Sequence, residues 1–209
     1  LKKSHEVIKM NFKKGLNEYK QLLNQELIDY FEDEFKDVRD KIDSSFLELL
    51  KSYTLSGGKR LRPICLIKTF TCFSKDEQKI IRPSLCVEFL HTSSLIFDDI
   101  MDEDDYRRGN PGIQLKLRKS FLNSNKEQKY KGNIFCYNSK RYAASQSMLL
   151  GLLCETLSRD VLLKSGFSQT KITECIDVLD CAFRDLIYGQ MRDIGFETSK
   201  DISSEDYLE

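Results

Sequence analysis

The stretch from Leu85 to Asp105 constrains the fold more than any other part of the chain. It contains neither glycine nor proline, and its apolar residues recur almost to its end, which is typical of one long, mostly buried helix. Its last eight residues, 98–105, include six carboxylates, and Arg107 and Arg108 follow. Like charges so close together repel one another, so we expect a cation to bind there. A divalent metal carrying a phosphate ester would satisfy both the acids and the arginines.

Glycine and proline are scarce throughout the 209 residues, at 10 and 3. So few turn-forming residues favour long helices over many short strands. Apolar periodicity predicts helices over residues 16–50, 64–73, 85–105, 143–164 and 171–195. Residues 120–140 are polar without a clear period and predict a loop insertion. The predicted fold class is all-α.

Charge and apolar content exclude several classes of partner. The 33 basic and 33 acidic residues cancel, so no overall field favours nucleic acid or an anionic membrane. No run approaches the roughly 20 apolar residues of a transmembrane helix. The seven cysteines form no C-x-x-C pair and lie mostly among apolar neighbours, which predicts buried, reduced thiols. We expect the protein to be located in the cytosol or in an organelle matrix. Because the sequence starts at Leu1 and not at a methionine, a targeting segment could have been removed.

Asp98 and Asp102 are the candidate metal ligands. Four residues apart on a helix, they share one face about 5.4 Å apart along the axis. Mg²⁺ prefers oxygen ligands and is commonly held by one or two carboxylates together with substrate phosphates. Asp99 points about 100° away and would support the site from behind. A solvated acidic surface is the alternative; a calcium EF-hand is excluded, because Tyr106 and Arg107 occupy positions that need Asp or Asn and Gly.

The segment Ser56–Pro63 is a candidate phosphate-binding turn. Gly57 and Gly58 allow backbone to approach a ligand, and three cations follow within four residues. It is not a P-loop, because an arginine stands where Ser or Thr belongs. An ordinary basic turn is the alternative. His91 precedes Asp98 by two helical turns and shares roughly its face, although a lone helical histidine is also common in cores.

Together these motifs resemble the trans-isoprenyl diphosphate synthases, also called polyprenyl synthetases. The resemblance spans about residues 40–209 and rests on four pieces in the family's order: Gly57–Pro63, Glu88–Leu95, Asp98–Asp102 with Arg107-Arg108-Gly109, and Gly189–Asp193. It implies an isoprenoid synthase-type helical bundle around a central cavity, as a single domain over residues 1–209 that usually forms a homodimer.

The resemblance also implies an activity, which is Mg²⁺-dependent head-to-tail condensation. Isopentenyl diphosphate would attack an allylic diphosphate such as dimethylallyl, geranyl or farnesyl diphosphate. The implied roles are Asp98 and Asp102 as Mg²⁺ ligands, Arg107 and Gln190 at the allylic diphosphate, Asp99 and Asp193 in support, and Gly58, Lys59, Arg60, His91 and Arg108 at isopentenyl diphosphate.

Product length in the family is set by side chains just before the first aspartate motif. Ser93 and Ser94 stand there and are small, which implies an open tunnel and products of C20 or longer. Phenylalanine at either position should shorten the product.

The chain departs from the family pattern in several places. Phe97 stands where histidine is common, and Ser145-Gln146 where Gly-Asp is usual. A second aspartate motif, preceded by Lys-Thr, is absent, and Asp177 and Asp180 come too early to be it. We therefore expect a chain that lacks its C-terminal part. The alternative is a non-catalytic subunit that dimerises with and regulates an active partner; a terpene cyclase would not need the Gly57–Pro63 motif.

Overall fold

The computed structural model describes residues 2–37, 41–199 and 202–208. They belong to two compact units, Leu1–Ser165 and Gly166–Glu209. The first unit contains helices α1 to α7 and a hairpin of strands β1 and β2: α1 (Lys2–Asp37), α2 (Lys41–Leu55), α3 (Leu61–Thr71), α4 (Gln78–Ile81), α5 (Leu85–Met101), β1 (Tyr106–Arg107), β2 (Asn110–Pro111), α6 (Ile113–Ser124) and α7 (Asn138–Leu163). The second contains α8 (Gln169–Glu197) and α9 (Ser204–Leu208). The all-α prediction is confirmed.

Helix α5 lies at the centre of the first unit and packs most extensively against α7. Small residues bring the two helices close: the Ser93 hydroxyl donates to the carbonyl oxygen of Gly151 at 2.9 Å, and the Cys154 thiol contacts the carbonyl oxygen of Phe89 at 3.2 Å. On another side, the ring of Phe89 lies 5.0 Å from that of Tyr30 on α1. Aromatic pairs at such distances add to the apolar burial that fixes α5 in place.

Helix α5 ends earlier than its sequence predicts. Its last residue is Met101, and Asp102 is its C-cap. Glu103 then adopts a left-handed conformation at φ 52°, which leaves the helix. The prediction of helix up to Asp105 is therefore wrong for its last residues, because a left-handed break at a glutamate has no compositional signal.

The region predicted as a loop insertion, 120–140, is shorter than expected. Helix α6 continues to Ser124 and α7 begins at Asn138, so only residues 125–137 lie outside helices. The side chain of Asn138 holds this loop by accepting from the backbone N–H of Gln128 at 3.0 Å and donating to the carbonyl oxygen of Lys126 at 3.1 Å. The loop is thus anchored at its junction with α7.

Other helix boundaries also differ from their predictions. The region 16–50 is divided between α1 and α2, and residues 38–40 lie outside the described residues. Helix α8 begins at Gln169, earlier than its predicted start at residue 171. On α7 the apolar side chains Met148, Leu149 and Leu152 are exposed. On α8 Leu186 and Ile187 are exposed, whereas Ile172 and Leu179 are buried.

The cysteines are less buried than their neighbours suggest. All seven are free thiols, but only Cys86 and Cys154 are buried, while four are exposed: Cys65, Cys72, Cys136 and Cys175. The prediction of mostly buried thiols is wrong.

None of the helices in the described part of the chain has the length and apolar character that a bilayer span requires.

Candidate active site

The hairpin between α5 and α6 positions two arginines. Arg108 and Gly109, at its tip, both have positive φ, 54° and 77°. Two such residues in succession form the type I′ turn that suits a tight antiparallel hairpin. The register pairs Arg107 with Asn110. From this hairpin, Arg107 reaches the end of α5, and Arg108 reaches the turn before α3.

Arg107 is held by the two carboxylates that end α5. Its Nη2 lies 2.7 Å from Asp98 Oδ2 and 2.5 Å from Asp99 Oδ1, and its Nε donates to Asp99 Oδ1 at 2.6 Å. These bonds raise the pKa of Arg107 against the opposing effect of burial, so it stays charged. Asp99 is buried, whereas the side chain of Asp98 is one-third exposed, at 33%. Asp98 is therefore the carboxylate open to a ligand, and Asp99 anchors the arginine.

Asp102 completes the predicted metal pair. It is exposed, and its backbone N–H donates to the carbonyl oxygen of Asp98 at 2.9 Å, so helical geometry extends to it. Within the described ranges, no group of three or more His, Cys, Asp or Glu side chains could hold a metal. Two carboxylates alone suit a hard cation that takes its other ligands from water and substrate phosphates, as Mg²⁺ does. The donor set therefore fits Mg²⁺.

The Gly57–Gly58 turn lies against Arg108. Both glycines have positive φ, 118° and 96°. A Cβ at Gly58 would lie 2.9 Å from Arg108 Nη1, closer than a real contact allows. The absence of side chains here lets the guanidinium of Arg108 lie across the backbone. Lys59, the next residue, is exposed.

Arg60 lies behind this turn and not on its surface. Its Nε donates to Asn24 Oδ1 at 2.9 Å, its Nη2 donates to the carbonyl oxygen of Thr54 at 2.8 Å, and its Nη1 pairs with Glu88. Only 3% of the residue is exposed. The assignment of Arg60 to isopentenyl diphosphate stays a prediction, and these contacts do not favour it, because all three guanidinium nitrogens already bond within the protein.

Arg62 is a candidate site residue to which the sequence motifs gave no role. It is exposed near the start of α3. Burial lowers the pKa of His91 most, and of the four arginines whose charges lower it further, Arg62 has the largest effect. The others are Arg108, Arg60 and Arg107. Together with burial they bring the pKa of His91 to about 4, so this histidine is neutral at physiological pH. The only sequence signal was a further arginine in the basic turn.

A small polar cavity lies between these groups. Its lining includes Tyr53, Ser56, His91, Arg107 and Arg108. Its volume of about 10 Å³ is roughly that of one water molecule. A diphosphate is larger than this cavity, so it would bind over its mouth and not inside it.

The remaining predicted residues are Gln190, Asp193, Ser93 and Ser94. Gln190 and Asp193 lie on α8 in the second unit, where Asp193 lines a groove with Arg192 and Asp206. Their assignment to the site stays a prediction. Ser93 is fully buried against α7, while Ser94 is half-buried and donates to the carbonyl oxygen of His91 at 2.8 Å. Ser94 is therefore the more accessible of the two serines.

Comparison with models of known protein families gives a match over most of the chain. The sequence model of the family described as polyprenyl synthetase matches residues 43–209. The chain belongs to the polyprenyl synthetase family. This confirms the resemblance inferred from the motifs.

Relatives of the chain include synthases of different product lengths. The geranylgeranyl diphosphate synthase of Methanosarcina mazei is 28% identical over 189 residues, which are 85% of this chain and 51% of that protein. The farnesyl diphosphate synthase of Bacillus subtilis is 42% identical over 77 residues, which are 36% of this chain and 25% of that protein. The chain thus spans about half the length of the first of these relatives.

Solved structures share the fold. The geranylgeranyl pyrophosphate synthase of Corynebacterium glutamicum, complexed with isoprenyl diphosphate and magnesium, superposes with a TM-score of 0.77 and 23% identity. The match covers 91% of this chain and 53% of that one. The geranylgeranyl pyrophosphate synthetase of Pyrococcus horikoshii gives a TM-score of 0.70 at 23% identity, over 93% of this chain and 50% of that one. These similarities confirm the helical isoprenoid synthase-type fold.

Proposed function

We propose that this polyprenyl synthetase chain is part of a prenyltransferase that condenses isopentenyl diphosphate with an allylic diphosphate, head to tail. The observation that carries the proposal is the ion-pair cluster in which Arg107 bridges Asp98 and Asp99, 2.7 and 2.5 Å away. The cluster joins carboxylates suited to a divalent cation with guanidinium groups suited to phosphate. Its neighbour Arg108 extends it to the Gly57–Gly58 turn.

Asp98 and Asp102 would hold Mg²⁺ in this proposal. When bound, the metal would neutralise the charge that builds up on the departing diphosphate. Arg107 would turn its Nη2 from Asp98 towards the diphosphate while its Nε remains on Asp99, since that bond uses a different nitrogen. A charged guanidinium so placed favours the leaving group over the intact ester.

Isopentenyl diphosphate would bind on the other side of the cluster. Lys59 and Arg62 are both exposed, and Arg108 lies between the turn and the cavity. We include Arg62 in this set in place of Arg60, whose donors are used inside the protein. Neutral His91 would donate one N–H to a phosphate oxygen, and the positive potential that keeps it neutral also attracts the substrate.

Products of C20 or longer remain our proposal for chain length. The named relatives include geranylgeranyl and geranylfarnesyl diphosphate synthases, which supports it. Ser94→Phe is the better test, because Ser93 is buried against Gly151 and a ring there would push α7 away. A shorter product from Ser94→Phe supports the open tunnel, and an unchanged product contradicts it.

We also propose that the protein is a homodimer. Exposed apolar side chains on successive turns of α7, Met148, Leu149 and Leu152, support a second copy as their partner. Light scattering of the purified protein measures the mass in solution, and a monomer at micromolar concentration would contradict this proposal.

The alternative of a non-catalytic regulatory subunit is not favoured, because the relatives cited above carry the names of synthases.

The test of the activity is a radiolabelled isopentenyl diphosphate assay on the product of the complete gene, with C5, C10 and C15 allylic primers. We expect Mg²⁺-dependent turnover that falls by about 10²–10³ in Asp98→Asn, the size of effect seen when one electrostatic stabiliser is removed. Turnover that persists after chelation of the metal would overturn the proposal, as would an Asp98→Asn enzyme with wild-type kcat.

A further inference from the structure

Asp99 is the hub of a bond network that joins four elements of the first unit. Its Oδ1 accepts from Arg107 on β1, and its Oδ2 accepts from the hydroxyl of Tyr53 on α2 at 2.8 Å. Its backbone oxygen accepts from the side chain of Gln114 on α6 at 2.9 Å, and also from the N–H of Asp104 at 2.9 Å. Asp99 is 3% exposed, so water contributes little to the solvation of its carboxylate.

A buried carboxylate needs a donor on each oxygen, because an unsatisfied charged acceptor is costly. Arg107 satisfies Oδ1 and Tyr53 satisfies Oδ2. Tyr53 is 6% exposed, and burial together with the Asp99 bond raises the pKa of its phenol. The hydroxyl therefore keeps its proton and remains a donor.

The bond from Tyr53 also determines where Arg107 points. If Oδ2 lost its donor, the Asp99 carboxylate would turn about its Cβ–Cγ bond to share its other donors. That rotation would move Oδ1 away from the Nε of Arg107, which now lies 2.6 Å from it. The guanidinium of Arg107 would then be held only by Asp98, whose side chain is one-third exposed.

We propose that Tyr53 is a positioning residue for diphosphate binding: its hydroxyl orients Asp99, and Asp99 tethers Arg107 by Nε so that the terminal nitrogens of the guanidinium face the incoming anion. This inference rests on the proposed function of the same site. Tyr53 is 46 residues from Asp99 in sequence and does not belong to the motifs at the site.

Tyr30 provides a matched control. It too is a buried tyrosine whose hydroxyl donates to a carboxylate, Asp160 Oδ2 at 2.9 Å, and burial likewise raises its pKa. It is not among the residues that line the cavity. Tyr30→Phe therefore removes the same kind of bond without touching the proposed tether.

The first measurement is calorimetric titration with inorganic pyrophosphate and Mg²⁺. We expect the Kd to rise about tenfold in Tyr53→Phe, as for the loss of one hydrogen bond to a charged group, and to stay within about twofold in Tyr30→Phe. If the wild-type protein does not bind pyrophosphate, the proposed function fails. If it binds and Tyr53→Phe binds equally well, only the positioning role is overturned.

A double-mutant cycle separates positioning from general stability. If Tyr53 acts through Arg107, Tyr53→Phe should have no further effect on the Kd in an Arg107→Lys background. Multiplicative effects of the two substitutions on the Kd would overturn the proposal.

The Nε–H of Arg107 gives an independent readout by NMR. We expect its signal to be protected from exchange in the wild type and in Tyr30→Phe, and exchange-broadened in Tyr53→Phe. Equal protection in all three would also contradict the tether.

Discussion

At the scale of single residues, the same chemical group has different roles depending on where the backbone places it. Arg60 and Arg107 are both arginines bonded to carboxylates. Arg60 is buried with its donors used inside the protein, whereas Arg107 is partly exposed beside Asp98. The first side chain stabilises the turn, and the second is available to a ligand.

The buried pair of Arg60 and Glu88 gives the first prediction. Glu88→Gln leaves a guanidinium that is 1% exposed without its counter-charge. Removing one partner of such a pair costs about 3–5 kcal/mol of unfolding free energy. Urea denaturation measures it, and Glu18→Gln, in an exposed pair with Lys14, is the control that should leave stability unchanged. Equal stability of both variants would show that the buried pair is dispensable.

Gly58→Ala is the second prediction. The backbone at φ 96° disfavours any side chain, and the new methyl group would lie 2.9 Å from Arg108 Nη1. We expect a loss of about 1–3 kcal/mol and weaker pyrophosphate binding, because Arg108 must move. Gly15→Ala, where no atom lies within 4 Å, should instead stabilise α1 by up to about 1 kcal/mol. Unchanged affinity in Gly58→Ala would argue against a role for Arg108 at the ligand.

Residue contacts were the least predictable part of the site. The sequence places Asp98 and Asp102 one helical turn apart, and the structure keeps them there. The Tyr53–Asp99 bond spans 46 residues and has no local pattern. The burial of Arg60 was not predicted either, and its backbone is left-handed at φ 55°, a conformation that is rare for arginine.

At the scale of elements, apolar periodicity predicts the five helical regions named above and misses α4, α6 and α9. Helix α5 was predicted because buried residues recur along its whole length. Helix α6 was not, because its buried residues Ile113, Leu115 and Leu117 are two apart, which is not a helical period. On α7 periodicity predicts the helix but not its buried face, because aliphatic residues lie on both the buried and the exposed face.

The loop 125–137 gives a prediction at this scale. Asn138→Ala removes the side-chain bonds to Gln128 and Lys126 that close it. We expect faster hydrogen exchange in residues 126–136 with no change in α5, because the loss is local. Asn125→Ala, which removes only a bond to the carbonyl oxygen of Phe121 within the same turn, is the control. Unchanged exchange in the loop would mean that other contacts close it.

At the scale of the whole molecule, the burial of His91 and the arginines around it give the free energy of unfolding a pH dependence. Its pKa is about 4 in the folded protein, against 6.5 ordinarily. Between these values only the unfolded chain binds the proton, so this contribution is complete above pH 6.5 and is lost as the pH falls towards 4. We expect the urea midpoint to fall more from pH 7.5 to pH 5 in the wild type than in His91→Asn. Parallel pH profiles would contradict a neutral, arginine-facing His91.

Asp98, Asp102 and Arg107 form the proposed site for a magnesium-bound diphosphate. Calorimetric titration with inorganic pyrophosphate, with and without Mg²⁺, tests it most directly in the wild type and in Asp98→Asn. We predict wild-type binding that requires Mg²⁺ and is lost in the variant, since one of only two carboxylate ligands is gone. Pyrophosphate binding of equal affinity without the metal, or undiminished in Asp98→Asn, would contradict the account.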